Sequence, residues 1–98
     1  MAQPYTETTW VAKPGHEAEF VRRWREWAEW TALQGLTASA KLLRDVEQPN
    51  RFLSFGPWES VDHVRRWRTA EGYQERIGRL QEVLESFEPR TFELVAET

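Results

Sequence analysis

The chain has 98 residues, with 13 lysines and arginines against 16 aspartates and glutamates, for a net charge of −3. One domain is all that length accommodates, and an acidic balance argues against nucleic acid as partner, because phosphate binding takes a basic footprint. The lack of cysteine excludes disulfides, thiolate metal sites, iron–sulfur clusters and cysteine nucleophiles.

No window approaches the roughly 18 apolar residues of a membrane span. No early run joins basic residues to an apolar stretch, so no secretion signal is expected. These features predict a soluble cytoplasmic protein. Six tryptophans, five phenylalanines and two tyrosines are more aromatic surface than an ordinary core of this size takes up. They predict a large interface or an aromatic-lined cavity.

Along the chain, Tyr5–Ala12 ("YTETTWVA") reads as a strand, broken by Lys13-Pro14-Gly15. Helical periodicity then runs from about His16 to Leu33. Phe20, Trp24, Trp27, Ala28 and Thr31 share one face, and Arg22–Glu26 and Arg25–Glu29 are spaced as i,i+4 pairs. Trp30 lies on the flank of that stripe, where a partner could cover it. Gly35 suits a left-handed cap. Leu36–Arg44 reads as a second strand, Asp45–Asn50 as a turn, and Arg51–Trp58 as a third strand ended by Gly-Pro near an edge.

Ser60 is the expected N-cap of a second helix, with Asp62 in its first turn. Gly72 interrupts this helix near Thr69. It resumes at Tyr73 through Ile77, Leu80, Val83, Leu84 and Phe87 until Pro89 stops it. Arg90–Glu97 closes as a fourth strand.

The order βαββαβ predicts a single α+β domain over residues 1–98, ferredoxin-like, with a four-stranded antiparallel sheet and two helices on one face. The other face would carry apolar side chains beyond what a soluble monomer exposes. A homodimer through the open sheet face is therefore expected.

Three functions use this arrangement. RNA binding on the sheet wants basic charge and aromatics two residues apart on the third strand, whereas Phe52 and Phe55 are three apart and point to opposite faces. Acyl-phosphate hydrolysis wants a phosphate-cradling loop after the first strand, and "KPGHE" is a poor cradle. The third is the dimeric α+β barrel. Here "VAKPGHEAEF", "PNRFLSFGPWES" and "RRWRTAEGYQ" resemble the antibiotic biosynthesis monooxygenase family, over about residues 5–96. The resemblance implies homodimers and, in enzymatic members, oxygenation without metal or flavin. One branch takes polyketide anthrones to quinones. In another, heme is both substrate and oxygen activator.

By spacing, Ser60, His63, Val64 and Trp67 share one helical face. In the anthrone-oxidising branch a polar amide, a tryptophan and a tyrosine line the pocket at similar spacing. His63, Trp67 and Tyr73 match those positions, with His63 in place of the amide. In that chemistry a phenol loses a proton and the carbanion gives an electron to oxygen, while the protein excludes water and stabilises charge. Trp67 and Tyr73 would be walls, and His63, whose side-chain type titrates near neutral pH, the general base. Asn50 and Trp58 are further substrate-binding candidates.

Against these stand plainer readings: His63 on the surface, Val64 and Trp67 packing on the sheet, Asn50 in a turn, Trp58 in the core, His16 and the arginine runs solvated. The heme branch uses a histidine ten residues after its tryptophan and an asparagine on strand one. Ile77 occupies the first position and strand one has no asparagine, so that mechanism is not expected. Two histidines far apart, without clustered inward acids, predict no metal site, and no cofactor is expected. The resulting expectation is a cofactor-independent oxygenase acting on a small aromatic or polyketide-type phenol. The alternatives are a non-catalytic dimer binding a small apolar ligand or playing a structural part, and an isomerase or decarboxylase that uses His63 without consuming oxygen.

Overall fold

The central strand is the segment whose alternation is cleanest. In the computed structural model, which describes residues 3–35 and 39–98, β1 spans Pro4–Ala12 and buries Pro4, Thr8, Trp10 and Ala12 on one face. It is followed by α1 (Glu17–Leu33), β2 (Lys41–Arg44), β3 (Arg51–Pro57), α2 (Val61–Arg68), α3 (Tyr73–Gln81) and β4 (Leu84–Glu93). The strands lie in the order β2-β3-β1-β4, every neighbour antiparallel. This is the ferredoxin-like α+β fold expected, with the second helical stretch divided in two.

Local chemistry accounts for the joints. The His16 amide donates to the Lys13 carbonyl at 2.9 Å, and Gly15 at φ 87° follows Pro14, the arrangement of a type II turn. Gly35, at φ 69°, ends α1 in the left-handed conformation expected of it. Ser60 caps α2 by accepting from the His63 amide at 3.2 Å. Gly72, at φ 92°, separates α2 from α3. On α1 the ion pairs are not the expected Arg22–Glu26 and Arg25–Glu29: Glu19 joins Arg22 at i,i+3 and Arg23 at i,i+4, and Glu26 meets Arg79 of α3.

Two elements depart from expectation. Leu36, Thr37 and Ala38 of the expected second strand lie outside the described residues, and β2 begins only at Lys41. Pairing stops where the chain meets Gly56: a Cβ there would sit 2.4 Å from the Ser39 carbonyl, so Ser39 and Ala40 cross over β3 instead of extending the ladder. The larger departure is the C-terminal half. Helix α3 ends at Gln81, and Leu84–Glu93 pairs with β1. Leu80, Val83, Leu84 and Phe87 fit a helical period, but nine residues of β1 need a partner, and that pairing overrides the local pattern. Pro89 does not stop a helix; it sits opposite Thr8 in an edge strand, where a missing N–H is tolerated.

Phe20, Val64 and Leu80 are the most deeply buried large side chains. They pack between the helices and one sheet face, where Phe20 meets Trp10 at 5.5 Å and Phe52 at 5.0 Å. The opposite face carries Tyr5, Leu53, Phe55 and Phe92, placed by the register, and Phe92 and Leu43 are each 48% exposed. Among them lies a polar spot, where Glu7 accepts from Thr9 at 3.1 Å and meets Arg90 at 3.9 Å.

Candidate functional site

The period of two along the strands builds the floor of the site. Thr6, Thr8 and Trp10 of β1 and Ser54 and Gly56 of β3 face the helices, Thr8 directly opposite Ser54 and Thr6 opposite Gly56. Helix α1 lays Trp24, Trp27, Ala28 and Thr31 above that floor, one helical face of four residues. Trp58, just after β3, and Trp67 of α2 close one end. Between them is a cavity of about 410 Å³, within the range of small-molecule sites. Five of the six tryptophans line it. It lies inside one chain, between helices and sheet, and not on the open sheet face.

The aromatic walls are mutually braced. Trp67 is 5.0 Å from Trp58 and 5.3 Å from Trp27 between ring centroids, separations at which aromatic pairs add to area burial. Three of the indole N–H groups are satisfied by hydroxyls of the lining: Trp10 donates to Ser54 at 2.9 Å, Trp58 to Thr6 at 2.8 Å and Trp67 to Thr31 at 2.9 Å. Thr31 passes its own proton to the Trp27 carbonyl at 2.9 Å. The only ionisable group among the described residues of the lining is Glu29, an exposed side chain. The interior is therefore apolar, with a few hydroxyls.

The expected site residues divide. Trp58 and Trp67 line the cavity. Tyr73 stands behind Trp67, edge-on at 5.2 Å and 88°, and 5.1 Å from Trp27. Burial pushes its phenol upward, partly offset by the positive charge of Arg68 and a hydrogen bond with it. His63 lies outside the lining. Its Nδ1 is 2.6 Å from Ser60 Oγ and its Nε2 3.6 Å from Glu59, so its ring belongs to the start of α2. Asn50 is tied to the sheet: its side chain donates to the Ala12 carbonyl at 3.1 Å, and its own carbonyl accepts from the Ala12 amide at 2.8 Å. Trp30, expected to await a partner, is only 9% exposed; Trp27 stacks on it and Arg76 of α3 lies over its ring at 5.1 Å.

Sequence reasoning passed over Thr6, Thr8 and Ser54. Their signal was the alternation in "YTETTW" and "FLSFG", which sets small hydroxyl residues where a packed core would carry valine or leucine. Among the described residues no three histidine, aspartate or glutamate side chains group as metal ligands, and no helix is long and apolar enough to cross a membrane.

Comparison with known proteins fits this architecture. The antibiotic biosynthesis monooxygenase family matches residues 6–79, and the chain belongs to that family. Its structure is similar to SnoaB, a cofactor-independent oxygenase from Streptomyces nogalater. The TM-score is 0.87 at 20% identity, covering 100% of this chain and 97% of that one, both for SnoaB and for a point mutant of it. A putative antibiotic biosynthesis monooxygenase from Bordetella bronchiseptica superposes with a TM-score of 0.86 at 19% identity, covering 98% and 100%. A conserved protein from Methanosarcina mazei Go1 gives 0.82 at 16%, covering 94% and 92%. At these identities the likeness is one of fold. No curated protein matches the chain significantly.

Proposed function

We propose that the chain is a cofactor-independent monooxygenase of a planar aromatic phenol of the anthrone type, working as a homodimer closed through the open sheet face. The observation that carries the reading is the tryptophan-walled cavity of about 410 Å³ between α1 and the sheet. Flat indoles suit a flat polycyclic ring, and an apolar lining strengthens each polar contact made against it. Family membership supports the class of reaction. The exposed Leu43 and Phe92 of the open face support the dimer.

The reaction balances without a bound reductant. The ring CH₂ loses a proton, and the carbanion passes one electron to dioxygen, giving a carbon radical and superoxide. These combine into a hydroperoxide, and loss of water leaves the carbonyl. Substrate and O₂ thus become quinone and H₂O. Trp58 and Trp67 hold the ring, and Tyr73 buttresses Trp67. A second reading, a dimer that binds such a ligand without turning it over, is favoured by one observation: Glu29 at the surface is the only ionisable side chain among the described lining.

The test is oxygen uptake and quinone absorbance when the purified protein meets anthrone in air. The expected outcome is turnover above the uncatalysed background that falls at least tenfold in Trp67→Phe. Tight anthrone binding without oxygen uptake would leave the binding reading standing and remove the oxygenase.

A further inference from the structure

We infer that Ser54, Thr8 and Thr6 form a hydroxyl donor row on the cavity floor that binds an anionic ring oxygen, the enolate or phenolate oxygen of the aromatic ligand. This rests on the cavity being the ligand site, as proposed above, and adds which atoms recognise the ligand and in which charge state.

Ser54 and Thr8 are each only 8% exposed and sit side by side on paired strands. Directly opposed residues of an antiparallel pair have Cβ atoms about 5 Å apart, so one ligand oxygen reaches both. Thr6 is the next residue along that face of β1, and opposite it Gly56 contributes no side chain. The space over Gly56 is taken by the Ser39 carbonyl and Ala40, so the floor is bounded by main chain at that corner.

What these hydroxyls bond to sets their polarity. A hydroxyl has one proton to give and two lone pairs. Ser54 Oγ accepts from the Trp10 indole, and Thr6 Oγ1 accepts from the Trp58 indole. Neither donates its proton to any partner among the described residues, and the Thr8 hydroxyl has no hydrogen-bond partner there. Yet no side-chain oxygen is both sealed from solvent and unpartnered among those residues, so the Thr8 hydroxyl opens onto the cavity that it lines. Three protons are thus uncommitted. Two of them belong to hydroxyls polarised by an indole N–H behind them, which strengthens donation. A row of donors without a facing cation or base selects an oxygen carrying negative charge.

This placement also accounts for proton removal in a cavity without an internal base. When the ring C–H bond breaks, its electron pair is delocalised onto the oxygen held by the hydroxyls, and the proton passes to water at the mouth beside Glu29. Lowering the ligand's own pKa replaces a general base.

The test uses a hydroxyanthraquinone, whose central carbons are already oxidised and whose absorbance separates phenol from phenolate. Bound to the native protein, its phenol is expected to ionise at least one pH unit below its value in water. Thr8→Val keeps the shape, leaves both indole bonds intact and removes one donor. It should fold with unchanged or slightly higher stability, bind the phenolate about tenfold more weakly, and leave affinity for the neutral phenol nearly unchanged. Ser54→Ala should weaken phenolate binding likewise, but with a loss of stability because it strands the Trp10 indole N–H, and Thr8→Ser should restore the native titration. A dye that binds with an unshifted titration, or a shift indifferent to Thr8→Val and Ser54→Ala, would overturn the donor row while leaving the cavity as a ligand site. A dye that does not bind at all would sink the cavity reading and this inference with it.

Discussion

Single residues matter most here where the backbone is crowded or a side chain is missing. Gly56 and Gly78 make the contrast. At Gly56 an added methyl would lie 2.4 Å from the Ser39 carbonyl and 3.1 Å from the Ala40 Cα. The obstruction is main chain and cannot swing aside. At Gly78, in the middle of α3, nothing lies within 4 Å of the same methyl, and alanine is the better helix former. Gly56→Ala should therefore cost about 1–3 kcal/mol in urea denaturation, the usual scale for overpacking. Gly78→Ala should add about 0.5–1 kcal/mol. Equal effects would mean that the crossing of Ser39 over β3 is not rigid. Only the coordinates distinguish the two glycines, because in the sequence each is a glycine inside a regular element.

Between elements, the joint of α1, α2 and α3 is held by Tyr73 and Arg23. Tyr73 begins α3 immediately after Gly72 and wedges its ring between Trp27 of α1 and Trp67 of α2. Arg23 of α1 bonds the Arg79 carbonyl and the Glu82 carboxylate at the far end of α3, both at 2.7 Å. Its charge is held more firmly than usual by the Glu82 and Glu19 side chains. Burial raises the Tyr73 phenol above its ordinary value, so the native state binds that proton more tightly than the unfolded chain. Its contribution is intact below the unfolded pKa of about 10 and is lost as pH rises through the folded value, because the unfolded chain ionises first. The urea midpoint is expected to fall on going from pH 8 to pH 11, with a smaller fall in Tyr73→Phe. Identical declines would show that the ring is not buried at this joint.

For the whole molecule, the helix-covered face of the sheet encloses the cavity, and the other face carries Tyr5, Leu53, Phe55 and Phe92 around the Glu7–Arg90 pair. The proposed dimer sets Phe92 against a second copy. Sedimentation at micromolar concentration should give a dimer for the native chain and a monomer for Phe92→Glu, with the far-ultraviolet circular dichroism unchanged. A native monomer would remove the dimer and leave the cavity, whose described lining comes from one chain, as it is.

Much of this was determined locally and was legible in the sequence. The period of two in β1, the helical stripe of α1, the Pro14-Gly15 turn, the Ser60 cap and the breaks at Gly35 and Gly72 depend on residues a few positions apart. The family was legible through the same segments, as were two walls of the cavity, Trp58 and Trp67. The tertiary structure decided what depends on distant partners. Residues 84–89 fit a helical period, with Leu84 and Phe87 three apart; pairing with β1 makes them β4, and a register shift between Val11 and Ala12 lets both residues reach the core side. His63 has the spacing of a pocket residue, but the Ser60 and Glu59 contacts keep it at the start of α2. Thr6, Thr8 and Ser54 are ordinary strand residues one at a time. Register sets Thr8 against Ser54 with Thr6 beside them, and tryptophan N–H groups from other elements donate to Ser54 and Thr6, which leaves the hydroxyl protons for the cavity.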